Sequence, residues 1–377
     1  MEKKYIATFL VLFAASFVIG YLVTVRRNVS GTTTANSSGT NTQTEEPKTE
    51  ECPLNGEMYG KSNRTAWEKR RPLGVMVENS TEARPQSGLS SANVVFEAVA
   101  EGGITRFLSV FYCQDAKMVG PVRSARVYFL DFIGGFGSYP LYAHVGGANT
   151  PGPADALGQI EKMDWAGYND LNQFSVGFPV FWRDYDRLPG VAVEHTMYSS
   201  TELLWKKGAQ RGLASADKEG AAWDEGFTPW VFKDDPVLEK RPKEQSVAFG
   251  FWDKSPAFNV LWTYDPQTNV YMRENGGEKH MDKDMGKQLA TKNIVILFMD
   301  ESDAQDGYDK GQHLLYDTLG SGKAMLIHDG KATSATWKKK DRFSQIRLYD
   351  ESGQELEFTR GKIWFELLPT GNQVKIV

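Results

Sequence analysis

Two runs of β-branched and aromatic residues, Asn93–Ala100 and Ile104–Cys113, meet at Glu101-Gly102-Gly103. Paired glycines between apolar runs of strand length leave one simple solution, an antiparallel hairpin. Around it lie "PLGVMVEN", "YPLYAHVGG" and "VGFPVFWRD", which read as further strands. "RVYFLDFIGGFG", "ADALGQIEKM" and "STELLWKKGAQRG" read as helices, the last opened by a Ser199-x-x-Glu202 capping box and closed by Gly212. Strands and helices that interleave argue for an α/β layer, and the hairpin makes its sheet mixed.

From about Gln245 helical patterns nearly vanish. Apolar runs separated by Asp-Pro, Gly-Ser and Ser-Gly turns predict an antiparallel β region. Trp252, Trp262, Trp337 and Trp364 offer a sugar-stacking platform there, but aromatic residues in strands are usually core and most of the four are read so. The resulting expectation is an α+β chain: an N-terminal mixed-sheet α/β domain over residues 66–216, then a mostly antiparallel β domain over 245–377. Residues 217–244 are charged and carry Pro229, Pro236 and Pro242, which suits an interdomain linker.

The N-terminus sets the expected compartment. Tyr5–Val25 is an uncharged apolar run, and about 20 such residues cross a bilayer as a helix. It predicts a single-pass signal-anchor over residues 1–27 with the bulk of the chain extracytoplasmic. Residues 28–65 read as a flexible linker, rich in Ser, Thr and Asn at first. The formal net charge of -5 removes the general electrostatic reason to bind nucleic acid. Two cysteines, Cys52 in the linker and Cys113 at the end of a strand, are read as one exposed and one buried thiol.

Candidate chemistry centres on "VGPVRSARVYFLDF". Gly120 as cap and Pro121 as first helical residue predict a helix start with the free amides of Val122 and Arg123 facing outward, an anion site. Arg123 and Arg126, three residues apart, then share a helix face and two guanidinium forks suited to carboxylate or phosphate. Glu78, Glu97 and Glu101 on neighbouring strands are equally able to absorb the pair in internal salt bridges. Strand ends add His144 in "HVGGAN" and Arg183 in "FWRD", with His195 close by in "VEHTMYSS". No G-x-S-x-G, P-loop, G-x-G-x-x-G or H-E-x-x-H pattern occurs, and the five histidines lack metal-ligand spacing, so no cofactor or metal is expected.

"RPLGVMVENSTEARPQSGLSSANVVFEAVAEGGITRFLSVFY", "VGPVRSARVYFLDF", "YAHVGGA", "FWRD", "HTMYSS", "WTYDPQTNVYMR", "KNIVILF", "DGKATSATWKK" and "TRGKIWFELLP" together resemble the YerB-like bacterial lipoprotein family. The resemblance covers nearly all of Arg71–Pro369. It implies an extracytoplasmic, membrane-attached protein and no particular reaction. Two departures stand out: a spanning run where the family carries a lipid-modified cysteine, and His195-Thr196 where the family often has His-Asn. The retained positions Arg123, Arg126, His144, Glu101 and Arg183 are where a site is expected. The leading expectation is a non-catalytic envelope protein that binds an anionic ligand, from a cell-wall polymer or a partner protein. The alternatives are a cell-wall hydrolase or transferase with a histidine base, and an interaction protein modulating a wall-synthesis enzyme.

Overall fold

The expected hairpin forms. In a computed structural model, which describes residues 46–308 and 312–377, Val94–Glu101 pairs antiparallel with Ile104–Phe111 across Gly102 and Gly103, both at positive φ. The run Tyr5–Val25 and the Ser/Thr-rich stretch after it lie outside the described residues. Among the described residues no helix is long and apolar enough to cross a membrane.

Numbered along the chain, the main strands begin with β1 Leu73–Glu78, β2 Val94–Glu101, β3 Ile104–Phe111, β4 Leu141–His144 and β5 Asp170–Asn172. There follow β6 Ser246–Phe249, β7 Val260–Asp265, β8 Val270–Asn275, β9 Asn293–Met299 and β10 Gly320–His328. The series ends with β11 Lys331–Lys339, β12 Arg347–Tyr349, β13 Ile363–Pro369 and β14 Val374–Ile376. The helices that matter are α1 Lys61–Trp67, α2 Val127–Ile133, α3 Ala156–Lys162 and α4 Thr201–Gln210.

Ten strands make one mixed sheet in the order β12-β11-β10-β9-β13-β2-β3-β1-β4-β5. Strands from both expected regions are therefore hydrogen-bonded edge to edge. The seam is β13, which lies parallel to β9 on one side and to β2 on the other, where an antiparallel arrangement was expected. Strands β1, β2 and β3 are buried on both faces, which is why they read as near-continuous apolar runs. A second, antiparallel sheet in the order β8-β7-β6-β14 alternates in burial along β7 and β8, as a sheet covered on one face does. Trp262, Trp337 and Trp364 are core, and Trp223 and Trp230 in the expected linker are buried too.

The two sheets meet over the seam. The register of β13 on β2 sets Glu366 directly beside Glu97, and both are fully buried. Arg273 of β8 reaches between them: its Nη2 lies 2.5 Å from Glu97 Oε2 and 3.9 Å from Glu366 Oε1, with its guanidinium 4.9 Å from the Trp364 ring. Two carboxylates cannot both be ionised beside one cation, and burial followed by the Glu97 charge raises Glu366 well above the usual carboxyl range. Arg273 Nη1 also donates to His280 Nδ1, and His280 Nε2 donates to Gln86 Oε1. That tautomer is neutral, and burial with the Arg273 charge holds the imidazole well below its usual range.

Several local expectations are corrected. Cys52 and Cys113 are joined in a disulfide, because α1 and the turn before it fold back onto the end of β3. No helix starts at Gly120: residues 119–125 are extended, and α2 begins only at Val127 with Arg126 as its cap residue. The amides expected to be free are used inside the protein, Val122 N–H donating to the Met197 carbonyl at 2.7 Å and Arg123 N–H to that of Met76 at 2.9 Å. The cap of α4 is Ser200, whose hydroxyl accepts from Leu203 N–H, while Ser199 Oγ donates to the Val180 carbonyl. In "VGFPVFWRD" only Trp182–Arg183 is strand; Gly177 at φ 66° and the donor-less Pro179 break the rest.

Arg273→Met leaves Glu97 buried without its cation and should cost about 3–5 kcal/mol in urea unfolding. Glu366 retains in the folded state a proton that the unfolded chain releases above about pH 4.5, so its contribution is complete below that pH and declines as pH rises. Glu366→Gln should accordingly flatten the fall in Tm between about pH 6 and pH 9; an unchanged slope contradicts the assignment. The disulfide closes a loop with a sequence separation of 61. Replacing both cysteines by serine should lower stability by about 2–4 kcal/mol, and dithiothreitol should lower the Tm of the parent chain but not of the double variant.

Candidate functional site

A β-bulge builds the site. Strict alternation along β2 puts Glu101 on the same face as Glu97, but the register on β3 shifts between Val99 and Glu101. Glu101 consequently meets Arg106 of β3 rather than the seam. Its Oε1 accepts from Arg106 Nη2 at 2.9 Å and its Oε2 from Arg126 Nη2 at 2.6 Å. The remaining Nη1 groups donate to backbone, Arg106 to the Ser124 carbonyl and Arg126 to that of Ala125. Burial pushes the Glu101 carboxyl up, but Arg106 and Arg126 outweigh it and hold it at about 2. Burial, and then the charge of Arg106, pull the Arg126 guanidinium below its usual range.

Arg123 points to the neighbouring carboxylate. Its Nε is 3.2 Å from Glu78 Oε1, an ion pair whose N–H is out of line for a hydrogen bond. The result is a set of three guanidinium groups, Arg106, Arg123 and Arg126, each with a buried Nε–H that has no acceptor. Arg106 and Arg126 are almost wholly enclosed, whereas the side chain of Arg123 is 23% exposed and that of Glu101 35% exposed. The extended segment 119–125 fixes this arrangement, since Ala125 N–H donates to the Gly146 carbonyl and Val145 N–H to that of Arg123.

His195 joins the same network on its far side. Its Nδ1 is 2.8 Å from Glu78 Oε2 and its Nε2 is 3.0 Å from Glu82 Oε2. Arg183 does not reach the arginine cluster; it donates to the Val193 carbonyl and, at 3.2 Å, to Thr196 Oγ1, bracing the turn that carries His195. Thr196 Oγ1 in turn donates to the Val193 carbonyl at 2.7 Å, so the residue that departs from the family pattern staples its own turn. His144 is fully buried in a separate dyad, with Nε2 2.5 Å from Asp170 Oδ1 and Nδ1 2.6 Å from the Gly146 carbonyl. Each of the two imidazoles thus has an oxygen of the protein against both nitrogens, an arrangement that orients the ring and leaves neither nitrogen open to a substrate.

Sequence reasoning named Arg123, Arg126, Glu101, His195 and His144 but missed Arg106, Glu82 and Asp170. Arg106 carried a readable signal, a lone charge inside the apolar run "ITRFLSVF". Glu82 and Asp170 carried none, because their roles depend on what folds against them. Glu97, expected as a partner of the arginine pair, serves Arg273 instead.

Residues 59–214 match the family described as protein of unknown function (DUF3048), N-terminal domain, and residues 247–365 match its C-terminal domain. The chain is 30% identical over 313 residues to "Putative lipoprotein YerB" of Bacillus subtilis (strain 168), a match that covers 80% of this chain and 82% of that one. It also resembles the crystal structure of the YerB protein from Bacillus subtilis, with a TM-score of 0.68 at 28% identity over 87% of this chain and 99% of that one. With both of its domains matched and most of its length aligned, the chain belongs to the YerB-like DUF3048 family.

Proposed function

We propose that this protein is a membrane-attached, extracytoplasmic binding protein whose arginine cluster receives an anionic group of an envelope polymer or of a partner protein. The observation that carries the reading is the gathering of Arg106, Arg123 and Arg126, whose buried Nε–H groups make no hydrogen bond. A buried donor left unmade costs about 1–3 kcal/mol, and an anion with several acceptor oxygens offers what Glu101 alone does not. Arg106 and Arg126 share one carboxylate, so the cluster keeps a surplus of positive charge beside the exposed edge of Glu101.

Two further observations support the compartment. A disulfide between Cys52 and Cys113 suits an oxidising location. The Bacillus relative is by its name a lipoprotein; on our reading the apolar run Tyr5–Val25 would serve this chain as the attachment. A hydrolase or transferase using His144 or His195 as base has less to rest on, because both nitrogens of each ring are already engaged.

Arg123 and Arg126 separate binding from scaffolding. Arg123→Ala should cost about 1 kcal/mol of stability, since Glu78 keeps His195 as a partner, yet should weaken retention on purified bacterial cell-wall sacculi at least tenfold. Arg126→Ala should cost about 1–3 kcal/mol, because it empties an enclosed position and removes one of the two guanidinium donors to Glu101, which keeps Arg106. Retention of Arg123→Ala equal to that of the parent protein would sink the reading.

A further inference from the structure

Away from the arginine cluster, a cavity of about 880 Å³ opens between the loop after α2, the segment around Phe227 and the turn joining β11 to β12. Its volume lies in the upper part of the range for ligand sites, about 300–1,000 Å³. Tyr139, Phe343 and Tyr349 line it, and Phe343 is 60% exposed. Tyr139 stands at φ 47°, a left-handed position that a tyrosine adopts only where its surroundings impose it. Gln345 is also part of the lining, with both polar atoms of its amide buried behind the surface and without a partner. Lys338 and Lys340 are exposed at the cavity and make no ion pair among the described residues. Lys338 Nζ lies 4.6 Å from the centre of the Tyr349 ring.

The walls are held in place from behind. Lys339 is buried and donates to the carbonyls of Asp341, Arg342 and Ser344, which pins the turn that presents Phe343 and Gln345. Arg342 ties the same turn to the N-terminal helices through Asp131 of α2 at 2.5 Å and Gln159 of α3 at 2.7 Å. The cavity is accordingly formed before any ligand arrives.

We infer that this cavity binds an acidic oligosaccharide. A pyranose is apolar on its face and polar around its edge, which matches a lining of aromatic side chains bordered by two amines. The free ammonium groups of Lys338 and Lys340 supply the preference for anionic substituents. This site uses none of the residues of the arginine cluster, so it stands or falls independently of that reading.

Calorimetric titration of the purified protein with tetragalacturonate, chitotetraose and inorganic phosphate tests it. Tetragalacturonate is expected to bind at least tenfold more tightly than neutral chitotetraose at low salt, with the gap narrowing as salt screens the lysines. Lys338→Ala/Lys340→Ala should abolish that gap, and Phe343→Ala should weaken tetragalacturonate at least tenfold. All three side chains are exposed, and unchanged melting curves will show that these variants still fold. No binding of tetragalacturonate at millimolar concentration overturns the inference. So does equal binding of chitotetraose, full competition by phosphate, or a Phe343→Ala variant that binds like the parent.

Discussion

One guanidinium decides how the two halves of this protein meet. Arg273 leaves the second sheet and enters a seam where the register of β13 against β2 has placed two glutamates side by side. Like charges directly adjacent in a sheet repel, and burial multiplies the cost. The arrangement is tolerable only because Glu366 is held in its neutral form, leaving Arg273 to balance Glu97. Such a cluster adds little net stability compared with well-packed apolar residues. Its effect is on geometry: a one-residue slip of β13 would turn Glu366 away from Arg273 and its apolar neighbours to the wrong face.

The same strand that supplies Glu97 to the seam supplies Glu101 to the arginine cluster. A bulge separates the two destinations, so one strand serves the join between the sheets and the candidate site on different faces. The cluster is consequently anchored to the most deeply buried part of the molecule rather than to a loop. Only Arg123 and the edge of Glu101 approach solvent. A ligand there would meet fixed guanidinium groups whose orientation has already been settled by folding.

Features set by near neighbours in the chain were legible in the sequence. The Gly102–Gly103 hairpin, α2, α3 and α4 each follow from a local pattern, and the cap of α4 was missed by one residue because Ser199 and Ser200 are equally good caps on paper. The Gly120-Pro121 helix start failed for a different reason. Its amides are claimed by Met76 and Met197, partners distant in sequence that no local rule can supply. The seam was hidden likewise, because β13 reads as one more strand of a meander until it is found between β9 and β2. At the candidate site the charged residues could be named, but which carboxylate each arginine faces depended on a bulge that leaves no mark in the alternation of "NVVFEAVAE".

The bond between Cys52 and Cys113 also has a mechanical meaning. Tension arriving along the chain from the N-terminal side encounters Cys52 before α1 and before every strand of the main sheet. It passes covalently to the end of β3, a strand flanked on both sides by β1 and β2. Force is thus delivered to the interior of the sheet, where several ladders of hydrogen bonds must yield together, instead of unzipping the fold from its first residues.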